Sequence, residues 1–371
     1  MKIFMGKNFS CGVNYQYSEI MCELERIEGY EFVTQPEEAD VIIFASTCSC
    51  YKDRIYMMIG YIDFILEKKK PEAKTYLTGC LARDFLDPSQ FTNIRNYLNT
   101  HIDHIIPSTK INELLSDLLK EKFDDEFYEF GFVSRDALDD HMANLYISSG
   151  CLNQCAFCKT TFQKIPLVSM DISSAKTLVD TMDQKGIETV YIRGMNISQF
   201  GLDTHQEYLL PSFIDYIEEK EHIKNVILVG FAFRDAIHHD FKYSLKRSSK
   251  VKTICGSLES GDNRILGLMD KGYTIEEFLD FYRFINQDSI KKLDTHIIAG
   301  YPTETMEDVK TTIRVLKEIK PFLEFVEVNR YKDSSFVKSH SLDQLSKETI
   351  QEHARVYSKF LQHEGIPSCI N

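Results

Sequence analysis

The sequence contains no apolar run long enough to cross a bilayer. Its longest runs, such as Val226–Phe233, fall well short of the roughly 20 residues a spanning helix requires. It contains no internal repeat and no low-complexity segment. With 43% hydrophobic and 27% charged residues it is neither disordered nor fibrous. It also lacks an excess of positive charge. Lys and Arg number 43 against 56 Asp and Glu, and the net −13 argues against a surface that grips nucleic acid everywhere, though not against a local basic patch. Met1–Phe4 already reads as the start of a strand, so no signal peptide is expected and the expected location is cytoplasmic, away from membranes.

What is present has the rhythm of an α/β protein. At 371 residues, with about 100–200 residues per domain, two domains are the first expectation. In the first, short apolar runs at Lys2–Met5, Asp40–Ala45, Lys74–Thr78 and Ile102–Pro107 alternate with helical patterns at Tyr15–Ile27, Lys52–Lys68 and Thr109–Lys120. Right-handed crossovers between such strands give a doubly wound parallel sheet of the Rossmann or flavodoxin-like kind. The acidic stretch Glu121–Asp140, with a hairpin expected near Phe127–Val133, places the boundary so that residues 1–138 and 139–371 form the two domains.

Beyond it, strands fit at Leu145–Ser148, Thr189–Arg193, Asn225–Phe231, Val251–Ser257, Leu293–Ala299 and Phe325–Asn329. Helices fit at Ser173–Lys185, Pro211–Lys220, Ile275–Asn286 and Thr305–Ile319, and a last one at Ser346–His363. Six βα units in a row predict a partial (β/α)6 barrel, with chemistry at the carboxyl ends of its strands.

Ten cysteines in a reducing compartment are not a disulfide framework; clustered thiols there more often bind metal or do chemistry. Cys151, Cys155 and Cys158 stand as Cys-x3-Cys-x2-Cys just after the first barrel strand. One loop of this spacing can wrap three thiolates around three irons of a cubane cluster and leave the fourth iron open. A structural zinc site would need a second pair or histidines at suitable spacing, and none follows. Phe157, directly before the third cysteine, also favours the cluster. Cys11, Cys48 and Cys80 each follow a predicted strand of the first sheet. The carboxyl ends of parallel strands share one edge, so these three can converge on a second metal site. The plainer account of a lone cysteine, a small buried hydrophobe, suits Cys22, Cys255 and Cys369. Cys50 competes with Cys48, which lies nearer its strand end.

The three-cysteine loop resembles the signature of the radical S-adenosylmethionine (SAM) superfamily. That resemblance implies SAM chelated at the open iron and cleaved by one electron to a 5′-deoxyadenosyl radical. Arg193-Gly194-Met195-Asn196 resembles the segment that approaches the SAM amino group, with Gly194, Met195 and Asn196 as contacts. Ser257-Leu258-Glu259-Ser260-Gly261 resembles the polar segment on its ribose and carboxylate, with Ser257, Glu259, Ser260 and Gly261 as contacts. Ile298-Ala299-Gly300-Tyr301-Pro302 resembles the stretch against adenine, with contacts at Ile298 and Gly300.

Through most of its length the chain resembles the methylthiotransferase family within that superfamily. Ser10–Asn14, Ser46-Thr47-Cys48, Thr78-Gly79-Cys80, Gly194–Gly201, Leu258–Thr274 and Thr295–Thr305 follow its motifs. The resemblance implies two 4Fe-4S clusters, the second held by Cys11, Cys48 and Cys80 and concerned with the inserted sulfur. It also implies SAM as both methyl donor and radical source. An electron donor such as flavodoxin or ferredoxin is the expected redox partner.

The chain departs from the family at Thr161, Lys164 and Ile165, and at Glu259, where glutamine is common. After Ser341 about thirty residues remain, enough for a helix but not for the five-stranded TRAM barrel usual in members that modify transfer RNA or a ribosomal protein. Together with the acidic balance, this directs the expectation to sulfur insertion, as a methylthio group, at an unactivated C–H bond of a peptide or protein side chain. The alternatives are a transfer-RNA methylthiotransferase, a thioether-forming radical enzyme with an electron-transfer auxiliary cluster, and a non-catalytic iron–sulfur redox sensor. The expected substrate cleft is lined by Phe162–Val168 and Asn329–Ser335, with Tyr331, Lys332 and Asp333 facing the channel. The basic stretch Lys242–Lys252 reads as a solvated helix face, and His238-His239 as exposed.

Overall fold

A computed structural model describes residues 1–6, 29–47, 52–79, 81–82, 92–106, 114, 116–118, 142–158, 166–333 and 337–371. The chain divides into two compact units, Met1–Asp139 and Asp140–Asn371.

In the first unit, β1 (Lys2–Met5), β2 (Glu31–Val33), β3 (Val41–Thr47), β4 (Lys74–Gly79) and β5 (His104–Ile105) form one parallel sheet in the order β2-β1-β3-β4-β5. This is the flavodoxin-like order, whose strand sequence reverses between β1 and β3. The near-continuous apolar run Val41–Phe44 shows why. Ile42 and Phe44 pack with Leu77 against Ile55, Met58 and Ile62 of α1 (Lys52–Leu66) and Leu98 of α2 (Thr92–His101). Val41 and Ile43 pack on the other face with Tyr76, Leu114 and Leu118. Strands covered on both faces have no polar side to present, hence the unbroken hydrophobicity.

Three predicted strands of this sheet agree within two residues, whereas Ile102–Pro107 shrinks to His104–Ile105. Strand β2 and helix α2 carry too little periodicity to have been read; α2 buries Leu98 among polar neighbours. The helix expected at Tyr15–Ile27 and the hairpin near Phe127–Val133 lie outside the described residues. The helix expected at Thr109–Lys120 is described only at 114 and 116–118, which are helical.

In the second unit, β6 (Met142–Ser149), β8 (Thr189–Gly194), β9 (Asn225–Phe231), β10 (Val251–Gly256), β11 (Lys292–Ala299) and β12 (Leu323–Arg330) lie side by side and parallel. At one edge β7 (Val168–Ser169) pairs antiparallel with β6; at the other β13 (Ser368–Ile370) pairs parallel with β12. The described sheet is therefore open rather than closed on itself. Helices α3 (Ile172–Gln184), α4 (Leu210–Glu218), α5 (Phe233–His238), α6 (Phe241–Arg247), α7 (Asn263–Leu268), α8 (Ile275–Ile285), α9 (Met306–Glu318) and α10 (Lys347–His363) connect and follow the strands. Alternate rows across the sheet have opposite fates. The register row Leu145–Ile192–Leu228–Ile254–Leu293–Leu323 is buried, with the first five fully enclosed. The next row, Tyr146–Arg193–Val229–Cys255–Asp294–Phe325, is half-buried throughout and so lines the opposite face. The six barrel strands and five long helices match the sequence expectation within about two residues of each end, the usual scatter of element boundaries. The short α5, α7, β7 and β13 were not anticipated, because two to six residues carry no readable period, and α6 was met only as part of the basic helix face expected at Lys242–Lys252.

Candidate functional site

Parallel strands bring their carboxyl ends to one edge, and there the sequence motifs of the second unit gather. Cys151, Cys155 and Cys158 follow β6 as half-buried free thiols. Their loop is fixed by the main chain: Cys158 N donates to Cys155 O (3.1 Å), Ala156 N to Met269 O (2.9 Å), and Ser339 N to Ala156 O (3.0 Å). Phe157 stands edge-on to Tyr301 at 6.4 Å, and both belong to an apolar cluster with Met269, Ile298 and Tyr331.

Side chains complete the frame. Asp235, 5% exposed on α5, accepts at Oδ2 from the amides of Asn153 and Asn196 (both 3.1 Å) and at Oδ1 from Gln199 Nε2 (3.2 Å). Asn196 Nδ2 also donates to Cys151 Sγ (3.3 Å), as does Asn153 N (3.4 Å). Gln199 Oε1 accepts from Leu152 N (2.8 Å). One buried carboxylate thus orients three amides that hold the cysteine loop. Such a network is stable only with every member satisfied. Sequence reading missed Asp235, Gln199 and Asn153. Only the Gly194–Gly201 motif pointed to Gln199, and no spacing pointed to Asp235.

The donor set suits a cubane cluster. The thiols are unpaired with one another, and two N–H groups already point at Cys151 Sγ, as donors do at a thiolate. Burial pushes the Cys155 thiol up to about 11, against the opposing charge of Lys271, so its thiolate is favoured only when a metal takes up the sulfur's charge. Among the described residues no three His, Cys, Asp or Glu side chains converge on a single ion.

The segments after β8, β10 and β11 line the same edge. Gly194 is required there, since a Cβ would lie 2.5 Å from Ser148 Oγ and 2.7 Å from Ser148 O. Met195 is 42% exposed, and its Sδ accepts from Gly150 N (3.3 Å). Glu259 holds a left-handed backbone (φ 68°), unusual outside glycine, pinned by bonds to His296 O and from Ile298 N. Its carboxylate lies 3.9 Å from Lys271 Nζ, which donates to Ser257 O (3.0 Å). Burial opposes the Lys271 charge, but Tyr273, Glu259 and the two thiols nearby outweigh it and hold the ammonium above its ordinary range. Ser260 and Gly261 are occupied by the fold. The Ser260 hydroxyl is fully buried 3.3 Å from Thr312 Oγ1, and Gly261 N donates to the same oxygen (3.0 Å). Gly300 (φ 77°) packs on α10, where its Cβ would meet Ile350 Cα at 2.9 Å, and its N–H donates to buried Glu304 (2.6 Å). Glu304 in turn meets His353 Nδ1 (2.7 Å) and Tyr357 OH (3.4 Å), both on α10.

In the first unit, Cys11, Cys48, Cys50 and Cys80 lie outside the described residues. Thr47 and Gly79, which immediately precede Cys48 and Cys80, are register partners at the ends of β3 and β4. Residues 162–165 and 334–335 of the expected cleft are likewise not described. Tyr331 is buried, its hydroxyl 2.9 Å from Ser339 Oγ, so it does not face a channel as expected. Cys255 is not a buried hydrophobe. Its thiol meets Asp294 Oδ2 (3.5 Å) and is pushed up to about 12 by burial and that carboxylate. Cys369 is exposed on β13. Of the basic stretch, residues 242–247 lie in helix α6, where Arg247 pairs with Asp215 (3.0 Å) and Lys246 with Gln287 (2.7 Å); Lys250, in the bend before β10, reaches Ile217 O (3.0 Å). His238 and His239 are exposed.

Comparison with known proteins agrees with this geometry. Residues 3–95 match the Uncharacterized protein family UPF0004, and residues 145–316 match the Radical SAM superfamily. The tRNA-2-methylthio-N(6)-dimethylallyladenosine synthase of Wolinella succinogenes is 29% identical over 337 residues, covering 86% of this chain and 74% of that protein. The threonylcarbamoyladenosine tRNA methylthiotransferase MtaB of Aquifex aeolicus is 26% identical over 371 residues, covering 96% and 87%. Among solved structures, the radical SAM methyltransferase TsrM of Kitasatospora setae shares the fold, with TM-score 0.57, 11% identity and coverage of 91% and 76%. Fold and cysteine loop together define a radical SAM enzyme. With its N-terminal domain, the chain belongs to the radical SAM methylthiotransferase family, enzymes that transfer a sulfur group using SAM and two 4Fe-4S clusters. The expectation of a peptide or protein substrate gains no support, because these relatives are named for transfer RNA. Net charge is a weak guide to such a substrate. It sums a whole chain, whereas phosphate contact depends on where individual cations stand. No helix among the described residues is long and apolar enough to cross a membrane.

Proposed function

We propose that this chain is a transfer-RNA methylthiotransferase that replaces the hydrogen on carbon 2 of an N6-modified adenosine with a methylthio group. The observation that carries the reading is the three-cysteine loop, framed by Asp235 at the strand ends of the open barrel. The named relatives, which span both domains, supply the substrate class. Cys151, Cys155 and Cys158 hold one cluster, and Cys11, Cys48 and Cys80 the other. When bound, the barrel cluster and SAM supply a carbon radical able to break an unactivated C–H bond, which no side-chain acid or base can do.

The chain's own residues do the positioning. Asp235 fixes Asn196 and Asn153, which donate to Cys151 and set the loop's orientation. Gly194 lets the chain pass close to β6, and Met195, exposed beside the cysteine loop, would be available to SAM, while Asn196 would act through Cys151. Ser257 and Glu259 would receive the polar part of SAM, with Lys271 balancing the Glu259 charge and holding Ser257 through its carbonyl. Ser260 and Gly261 hold that segment against α9. Ile298 and Gly300 offer the adenine surface, and Glu304 keeps Gly300 in place. A cytoplasmic location and a flavodoxin- or ferredoxin-type donor fit this chemistry.

The test is incubation of anaerobically reconstituted holoenzyme with SAM, reductant and transfer RNA, followed by nucleoside digestion and mass spectrometry. The expected product is an adenosine derivative heavier by one methylthio group in place of hydrogen. Methylthiolation of protein with none on transfer RNA would refute the reading.

A further inference from the structure

The half-buried row on the barrel's inner face has two charged members with unused hydrogen-bonding capacity. Arg193 sits at the end of β8, and its guanidinium lies 5.0 Å from the Tyr191 ring centroid. Its Nε donates to Asn144 Oδ1 (2.6 Å), which fixes the plane of the group. Among the described residues neither terminal nitrogen has a hydrogen-bond partner, and no carboxylate lies within 4 Å. A half-buried guanidinium has lost part of its hydration, and nothing among the described residues replaces it. Three strands away in the same register row stands Asp294. Its Oδ2 meets the Cys255 thiol, but Oδ1 is buried with no partner. Tyr146 and Phe325 complete the row at its two ends.

We propose that this row is a subsite for the N6 substituent of the adenosine, and that the substituent carries a carboxylate: threonylcarbamoyl rather than dimethylallyl. The inference rests on the transfer-RNA reading above and goes further by choosing between the two substrate types named among the relatives. A carboxylate can take both terminal nitrogens of a guanidinium whose plane is already set, a match that a lysine would not give. A dimethylallyl group has neither charge nor donor. It would strip water from Arg193 without replacing it, and a site built to hydrogen-bond rejects such an analogue strongly.

The experiment compares reconstituted holoenzyme on two transfer RNAs, one carrying N6-threonylcarbamoyladenosine and one carrying N6-dimethylallyladenosine. Calorimetric titration with the two free nucleosides and with SAM accompanies it. Wild type should methylthiolate the threonylcarbamoyl RNA with kcat/KM about 100-fold above the other, and should bind that nucleoside preferentially, as expected for a hydrogen-bonded charge. Arg193→Gln should remove most of that preference, chiefly through KM, and Arg193→Lys should retain part of it. The wild-type comparison needs no variant and stands even if one fails to fold. Methylthiolation confined to the dimethylallyl RNA would overturn this inference and leave the transfer-RNA reading standing. Product on neither RNA would overturn both. If Arg193→Gln weakened SAM binding as much as nucleoside binding, the residue would belong to the SAM site and the subsite would fall.

Discussion

The two cysteine groups are built on opposite plans. In the barrel, three thiols lie within one eight-residue loop, and its frame is gathered from four strand ends: Asn196 and Gln199 after β8, Asp235 after β9, Met269 beyond β10 and Ser339 beyond β12. In the first sheet, the cysteines are 37 and 32 residues apart in sequence (Cys11 to Cys48, Cys48 to Cys80). There the topology must bring them together. The order β2-β1-β3-β4-β5 makes β1, β3 and β4 adjacent parallel neighbours, and these are the strands that the three cysteines follow. A local motif can therefore be recognised before any fold is known. A dispersed set acquires meaning only once the strands are aligned, as Thr47 opposite Gly79 illustrates.

The sharpest break in the comparison should come at the local site. Cys155→Ala is expected to abolish 5′-deoxyadenosine formation, read by chromatography of anaerobic reactions, while the first unit retains its iron. Next in size is His353→Ala. It leaves Glu304 buried at Gly300 without its imidazole hydrogen-bond partner, and orphaning a buried carboxyl costs about 3 kcal/mol. Burial already raises the Glu304 carboxyl above its ordinary value despite His353, so removing the imidazole raises it further. Urea unfolding should show the loss in the transition of the second unit alone. Smaller again is Asp235→Asn, which puts an amide donor where an acceptor served Asn153, Asn196 and Gln199. About 2 kcal/mol of stability should be lost, with SAM cleavage slowed by about tenfold. Electron paramagnetic resonance should show the signal of the barrel cluster shifted and that of the other cluster unmoved.

The six barrel strands were legible because Val, Ile and Leu alternate with half-buried residues, as in Leu145, Ile192 and Leu228. The three-cysteine loop was legible because its chemistry demands a fixed spacing. The residues that hold it were not. Asp235 sits in a six-residue helix, FRDAIH, that resembles any surface turn, and its partners come from loops 36 to 82 residues away. Glu304 and His353 are likewise separated by 49 residues. Arg193 was read only as part of a segment near SAM, because no pattern in sequence tells that an arginine lacks an acidic partner. The substrate was not legible for a similar reason. Composition gave a charge, while recognition depends on where each charge stands.

The account's central claim is that the two sites divide the reaction. It is tested most directly by the triple variant Cys11→Ala/Cys48→Ala/Cys80→Ala, assayed in one sample for iron, 5′-deoxyadenosine and methylthio-adenosine. Two cubanes correspond to about eight irons per chain, so the variant should keep about four. It should still cleave SAM and should yield no methylthiolated transfer RNA. Wild-type iron content, or undiminished methylthio product, would contradict the account.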